Sequence, residues 1–264
     1  MIYNMDFLIS AMVILLLILW HFLGQKRAED LNNRVFLFFA VLGTADVVAE
    51  FFTNYYLTSY NSDMENAAVI VTTIFYLLQA LLPVTFIFYI QTLHEQKIIS
   101  AKKMFISGVP TLVLISVILT NPFTEKLFSF DVTAGYVKGP WYLLMYVSAL
   151  GHFAVALLLI LLWRKKLGPQ KEKILLEIFV ISGVGVVLQM FCQSLLMTGF
   201  GMSLGILALF ITINNPNANL DSLTGLYNHL YLTRKMGELI ASGKSFHIIT
   251  VYLYQLKHIN RVAG

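Results

Sequence analysis

Long apolar runs separated by short polar segments occupy most of the chain up to residue 214. Runs of spanning length lie at 7–24, 35–53, 67–92, 104–120, 141–163, 174–197 and 200–214. Backbone groups in hydrocarbon must be paired within their own segment, so uninterrupted runs of this length predict helices and exclude an open sheet. The last run is the shortest and follows the sixth after a tight turn near Gly199. The pattern predicts an all-α polytopic membrane bundle of seven transmembrane helices.

Basic residues predict the orientation of this bundle. Loops 25–34, 93–103 and 164–173 contain 11 lysines and arginines, whereas the N-terminus and loops 54–66 and 121–140 contain 2. By the positive-inside rule the N-terminus lies outside and the C-terminus lies in the cytoplasm. The composition agrees, because 58% hydrophobic and 12% charged residues exclude an ordinary soluble enzyme and a disordered protein. The lipid bilayer is therefore the first expected partner, and no motif indicates nucleic-acid binding.

Two carboxyl groups interrupt the second apolar run. Asp46 and Glu50 are four residues apart and share one helix face. Intramembrane carboxylates are costly and usually face the bundle interior, so Gln79, His152 and Gln189 on other runs are candidate partners. One interpretation is a ligand- or proton-sensing site. The other is an interhelical hydrogen-bond cluster that only packs the helices. Both interpretations stay open at the level of the sequence.

The composition changes after residue 214, which divides the chain into a membrane module at 1–214 and a second segment at 215–264. Asn214, Asn215 and Pro216 begin a polar breaker. Beyond it the pattern predicts an amphipathic helix over 222–241 capped by Asp221, a turn at 243–244 and a strand over 247–254. This order opens an α/β domain, and about 50 residues are too few to bury its core. We therefore expect the chain to stop inside a larger domain.

The segment 221–228, with the sequence DSLTGLYN, resembles the opening motif of GGDEF domains, the diguanylate cyclase family. The matching positions are Asp221, Leu223, Thr224, Gly225, Leu226 and Asn228, whereas His229 stands where arginine is usual. The alternative is a capped amphipathic helix that resembles the motif by chance. The resemblance covers only the first quarter to third of such a domain and implies an α/β fold for it.

The segment 251–264 also resembles the family but departs from it at the aspartates. Lys257 and Asn260 match positions that imply nucleotide binding, with Asn260 at the guanine contact. Both aspartate positions of the strand are tyrosine, Tyr252 and Tyr254, and a later one is Arg261. An intact member would use GTP with Mg²⁺ or Mn²⁺, and a phenol at 252 is a poor ligand for these cations. No catalytic residue, metal ligand or cofactor is therefore assigned to this chain, and its status as an enzyme stays open.

Two further features concern the membrane module. The order of residues in loop 121–140 is similar to the extracellular loop of seven-helix sensor modules that precede GGDEF domains in many Firmicutes. A plain turn-rich loop with interfacial aromatic residues explains it equally well. Gly201 and Gly205 form a G-x-x-x-G in the last run, a weak hint of a dimer contact.

Taken with the resemblance, these patterns predict a multi-pass signalling protein of the bacterial inner (cytoplasmic) membrane. Its sensor would respond to an unidentified small ligand and act on a GGDEF-type output domain in cyclic di-GMP signalling. The domain would be inactive as a cyclase in this chain, although the family reaction, which joins two GTP molecules, implies a homodimer through it. The alternative is a small membrane transporter or channel with a vestigial C-terminal segment, supported by Asp46 and the proline-containing spans.

Overall fold

A computed structural model describes residues 5–25, 31–58, 62–95, 101–131, 135–214, 221, 223–224, 226–241, 243, 245–251 and 261. The chain forms two compact units, Met1–Pro216 and Asn217–Gly264. The first unit contains seven helices within its described ranges. They are α1 Asp6–Gly24, α2 Leu31–Thr58, α3 Glu65–Glu95, α4 Ala101–Thr124, α5 Leu143–Leu167, α6 Pro169–Phe191 and α7 Met197–Thr212. Short 3₁₀ turns at Ser62–Met64 and Gln193–Leu195 precede α3 and α7.

The packing of α1 shows why these sequences form a bundle. Its buried residues recur every three or four positions, at Leu8, Ala11, Leu15, Ile18 and Phe22, and therefore share one face. The rest of its surface is exposed and still apolar, with Ile9, Val13, Leu16, Leu17, Trp20 and Leu23. A helix that is apolar all round suits hydrocarbon surroundings, in which its backbone pairs internally.

Within the described ranges, six helices, α1 to α6, are long and apolar enough to cross a membrane. Helix α7 is apolar but has only 16 residues. The boundaries predicted for the last two spans, 174–197 and 200–214, are wrong in detail. Helix α6 ends at Phe191 and α7 begins at Met197, because the 3₁₀ turn and Leu196, with φ of 48°, reverse the chain between them.

Glycines bring α6 and α7 close together. A Cβ at Gly201 would lie 3.2 Å from the carbonyl oxygen of Ile181, and a Cβ at Gly185 would lie 3.0 Å from that of Met197. A Cβ at Gly205 would lie 3.0 Å from Cγ2 of Ile178. The G-x-x-x-G motif therefore serves a contact within the chain.

The segment after α4 forms a hairpin of two antiparallel strands, β1 Phe128–Asp131 and β2 Gly135–Lys138. Asn121, near the end of α4, anchors it. Its Oδ1 accepts hydrogen bonds from the amides of Leu127 at 2.7 Å and Phe128 at 3.3 Å, and its Nδ2 donates to the carbonyl of Phe128 at 2.9 Å. The loop predicted at 121–140 is thus an ordered hairpin in its described part.

In the second unit, helix α8 spans His229–Ala241, so the predicted start at 222 is wrong. Asp221 does not cap it. The Asp221 Oδ1 accepts hydrogen bonds from the Thr224 amide and hydroxyl, both at 2.9 Å, and the Asp221 amide donates to the carbonyl of Leu226. Asn228 is the N-cap, since its Oδ1 accepts from the Tyr231 amide at 3.1 Å. Asp and Thr side chains that bond the nearby backbone compete with helix formation, which delays the helix by one turn and more.

The strand predicted over 247–254 does not form in its described part, 247–251. A single strand has no stability without a neighbour to pair with, and the described residues of this unit offer none. The turn predicted at 243–244 is present at Gly243, which has φ of 67°. Leu223 and Leu226, expected to anchor the helix on a sheet, are 94% and 69% exposed. Gly225, Tyr252, Tyr254, Lys257 and Asn260 lie outside the described residues.

Candidate functional site

A cavity of about 620 Å³ lies between the helices of the first unit. Residues of α2, α3, α5, α6 and α7 and of strand β2 line it. All five polar residues that the sequence singled out are among the lining residues: Asp46, Glu50, Gln79, His152 and Gln189. The sequence therefore identified the polar part of one site, although the five do not form a single hydrogen-bonded cluster.

Glu50 is held by a relay that reaches α7. Its side chain is 2% exposed, and its Oε1 accepts a hydrogen bond from Nε2 of Gln189 on α6 at 3.3 Å. The Oε1 of Gln189 in turn accepts from the backbone amide of Thr198 at 2.7 Å. The first amides of a helix lack partners within it, so Gln189 satisfies one of them at the start of α7. Gly199 makes room for the carboxyl, because a Cβ there would lie 3.0 Å from Oε2 of Glu50.

Three buried polar atoms at this cavity have no hydrogen-bond partner among the described residues. They are Oδ1 of Asp46 and the hydroxyl oxygens of Thr53 and Thr72, whose side chains are 3%, 4% and 1% exposed. A buried polar atom without a partner costs about 1–3 kcal/mol. All three residues border the same space, and a guest molecule or ordered water in it would satisfy these atoms.

His152 does not pair with the carboxyl groups, although the sequence named it as a candidate partner. Its Nε2 lies 2.9 Å from the hydroxyl of Thr111 on α4, and its Nδ1 lies 2.7 Å from the carbonyl oxygen of Ser148. Both ring nitrogens are therefore engaged within the chain, and the imidazole links α4 to α5. His152 borders the cavity as a packing residue, without a hydrogen bond to either carboxyl group.

Aromatic side chains and residues of the hairpin also line the cavity. Tyr136 of β2 and Tyr76 of α3 share a hydrogen bond of 2.5 Å between their hydroxyl groups. Lys138 places its Nζ 4.6 Å from the ring centre of Tyr142. Partial burial lowers the pKa of the Lys138 ammonium, because the charged form loses hydration. The hairpin thus forms an aromatic cover with one cation at its edge.

Sequence analysis missed the threonines of the cavity and a second polar network. Thr53 lies three residues after Glu50, so helical spacing was a usable signal for it. The network joins the end of α7 to α2 and α3. The hydroxyl of Tyr89 donates to Oδ1 of Asn214 at 2.6 Å, and Nδ2 of Asn214 donates to Oδ1 of Asn33 at 3.0 Å. No periodic pattern marks these contacts, because they join residues far apart in the chain.

Neither a protein family, nor a curated protein, nor a solved structure matches this chain. In the part of the chain that the structure describes, no group of three or more His, Cys, Asp or Glu residues is placed to hold a metal ion. The positions at which the resemblance implies nucleotide and metal contacts, Lys257, Asn260 and Tyr252, lie outside the described residues. A phenol at 252 does not fit a magnesium site, so no catalytic step follows from this chain.

Proposed function

We propose that this protein is a signalling protein of the bacterial cytoplasmic membrane, with a seven-helix sensor module and a GGDEF-type output domain that begins in the C-terminal segment. The observation that carries the proposal is the polar cavity of the helical unit, where unpaired buried groups of Asp46, Thr53 and Thr72 border space for a small ligand. A protein that only packed its helices would gain stability by filling such a space.

A seventh membrane pass by α7 is part of the proposal. Its 16 residues extend about 24 Å at about 1.5 Å per residue, against a hydrocarbon core of about 30 Å. Local thinning of the bilayer accommodates a mismatch of this size. Seven passes place the N-terminus outside and the C-terminus inside, in agreement with 11 basic residues on one side and 2 on the other.

Helix α7 is the element best placed to transmit a signal. It borders the cavity through Thr198, Met202 and Ile206, and it is followed directly by Asn214, which is bonded to Tyr89. A ligand that shifts α7 against α3 would therefore change the network where the chain leaves the bundle. The Asn-Pro-Asn sequence that follows is no heptad, which argues against transmission through a rotating coiled coil.

The local geometry of the opening motif supports a GGDEF-type start. Asp221 and Thr224 close a turn, and Asn228 caps the helix that follows. Three motif positions therefore have a structural reason for their identity. The departures at Tyr252 and Arg261 favour a domain that binds GTP or cyclic di-GMP without converting GTP to cyclic di-GMP.

Nucleotide binding tests the output half of the proposal. The protein encoded by the complete reading frame, in lipid nanodiscs, should bind GTP or cyclic di-GMP in isothermal titration calorimetry. A version that stops at Asn214 should bind neither. If the complete protein binds neither nucleotide, the GGDEF-type output is rejected.

A reporter of cellular location, fused after Asn214, tests the seven-pass topology. It should indicate the cytoplasm, and an external location would reject this topology.

A second candidate, a small transporter or channel, is favoured by the same unpaired carboxyl oxygen of Asp46 in a large cavity. Transport across proteoliposomes that contain the protein, abolished by Asp46→Asn, would replace the sensor proposal. Absence of flux together with nucleotide binding would support the sensor.

A further inference from the structure

Two acidic groups border the cavity without a basic partner beside them in the described part of the chain. Asp46 and Glu50 contribute two carboxyl groups, and neither forms an ion pair with a lysine or arginine among the described residues. Lys138 is the one described lysine or arginine of the lining, and it lies in the hairpin beside the Tyr142 ring. The His152 ring already uses both nitrogens. Burial without a counter-charge favours the neutral carboxylic acids, and a positive guest would supply the counter-charge that favours their ionised form.

The unpaired oxygen atoms of the lining can also accept hydrogen bonds from a guest. Asp46 Oδ1 in the ionised form only accepts, and the hydroxyl groups of Thr53 and Thr72 can accept as well as donate. An ammonium group has three donors and no acceptor, so it can donate hydrogen bonds to oxygens of this kind. An anion would oppose ionisation of the carboxyl groups, whereas a cation would favour it. The hydrogen-bonding character and the charge of the lining therefore select the same class of guest.

The size and the lining of the cavity favour an organic guest over a bare cation. About 620 Å³ lies within the range of small-molecule sites, about 300–1,000 Å³, and far exceeds the need of a bare cation. Phe39, Phe75, Tyr76 and Phe86 supply aromatic faces to the lining. Such faces attract cations and also cover apolar carbon. No described cluster of three metal-ligating residues competes for the site.

We propose that the cavity binds an organic amine in its protonated form, with the ammonium group toward Asp46 and Glu50 and an aromatic or apolar body between the aromatic walls. The inference rests on the proposed function, since it names the ligand class of the same cavity. It can be tested separately, because binding of the amine to the helical unit is measured without any nucleotide.

Three probes of similar shape separate charge from shape. Phenethylamine, phenethyl alcohol and phenylpropionate differ in a cationic, neutral or anionic end group. The full-length protein in neutral-lipid nanodiscs is titrated with each, and empty nanodiscs correct for partition into lipid. The amine should bind at least about tenfold more tightly than the other two. Equal or tighter binding of the alcohol or the acid, or no binding of the amine, overturns the proposal.

Variants then place the amine. Asp46→Asn keeps the shape and removes the charge, and it should weaken amine binding by at least about tenfold. Glu177→Gln is the matched control, because Glu177 is exposed and its described ion-pair partner is Lys173, away from the cavity lining. It should leave the affinity unchanged. Thr72→Val removes one hydroxyl with little change in size and should weaken binding several-fold, which keeps the test valid if Asp46→Asn does not fold. Unchanged affinity in both cavity variants overturns the placement.

The outcomes also separate this inference from the proposed function. Amine binding that leaves GTP and cyclic di-GMP binding unchanged keeps the ligand class and counts against signalling. Nucleotide binding by a protein that ignores the amine keeps the output domain and overturns the ligand class.

Discussion

Replacing Asn121 with alanine should release the hairpin that covers the cavity. The Asn121 side chain is 1% exposed and makes three hydrogen bonds to Leu127 and Phe128. Leu127 and Phe128 are themselves 0% and 1% exposed, so water cannot replace the lost bonds. Each buried group left unpaired costs about 1–3 kcal/mol, and the two shorter bonds alone therefore give at least about 2 kcal/mol.

Hydrogen exchange at the base of the hairpin measures this loss. The amides of Gly139 and Trp141 donate to the carbonyls of Leu127 and Lys126, both at 2.8 Å, and do not bond to Asn121 itself. Since 1.4 kcal/mol is a factor of ten, their exchange should accelerate by about 30-fold or more. The assay is hydrogen–deuterium exchange with mass spectrometry on the protein in nanodiscs.

A neighbouring substitution provides the matched control. Thr120 is exposed, and its hydroxyl bonds only to Ser116 and Val117 of its own helix among the described residues. Thr120→Ala should therefore change exchange by no more than about twofold. If Asn121→Ala changes exchange at the base of the hairpin as little as this control does, Asn121 is not the anchor that its three contacts indicate.

Three further substitutions test local geometry. Gly139→Ala places a Cβ 2.2 Å from a backbone oxygen and should lower the melting temperature measurably, whereas Gly151→Ala, with nothing within 4 Å, should not; equal melting temperatures would refute the close approach. Asn228→Ala removes an N-cap and should cost α8 about 1 kcal/mol, seen as faster exchange of its first amides, with Thr233→Ala as the control that should spare them. Hydrogen bonds from the backbone amide and then from the hydroxyl group of Thr224 lower the pKa of the Asp221 carboxyl group below 3.8. The turn that Asp221 closes should therefore be most stable at neutral pH and open as the pH falls through this lowered pKa. An Asp221→Asn variant has no carboxyl group to titrate at this position and should lack this opening.

The helical architecture was predictable because the length and apolar character of each helix are visible in its own sequence. In α1 both faces are apolar, so length and composition alone identify a segment that suits a bilayer. Asp46 and Glu50 were identifiable for the same reason. Charged groups are so costly in hydrocarbon that their presence predicts a place in the bundle interior, and both are buried beside the cavity.

The errors share a different physical cause. The N-cap of the helix moved from Asp221 to Asn228 because two polar side chains can close on the local backbone in more than one way. The strand expected from residue 247 needs a neighbour to accept its hydrogen bonds, and its own residues cannot supply one. Gly201 contacts α6 because that helix happens to lie opposite, which the G-x-x-x-G spacing does not specify.

The sequence by itself thus determined which segments form apolar helices and which carboxyl groups are buried. Only the tertiary structure decided that Asp46, Thr53 and Thr72 border one cavity, that Gln189 links Glu50 to α7, and that the hairpin covers the space. Helix formation and burial in a membrane depend on residues near one another in the chain. A cavity depends on how several helices fail to fill the space between them, and that is a property of their packing as a group.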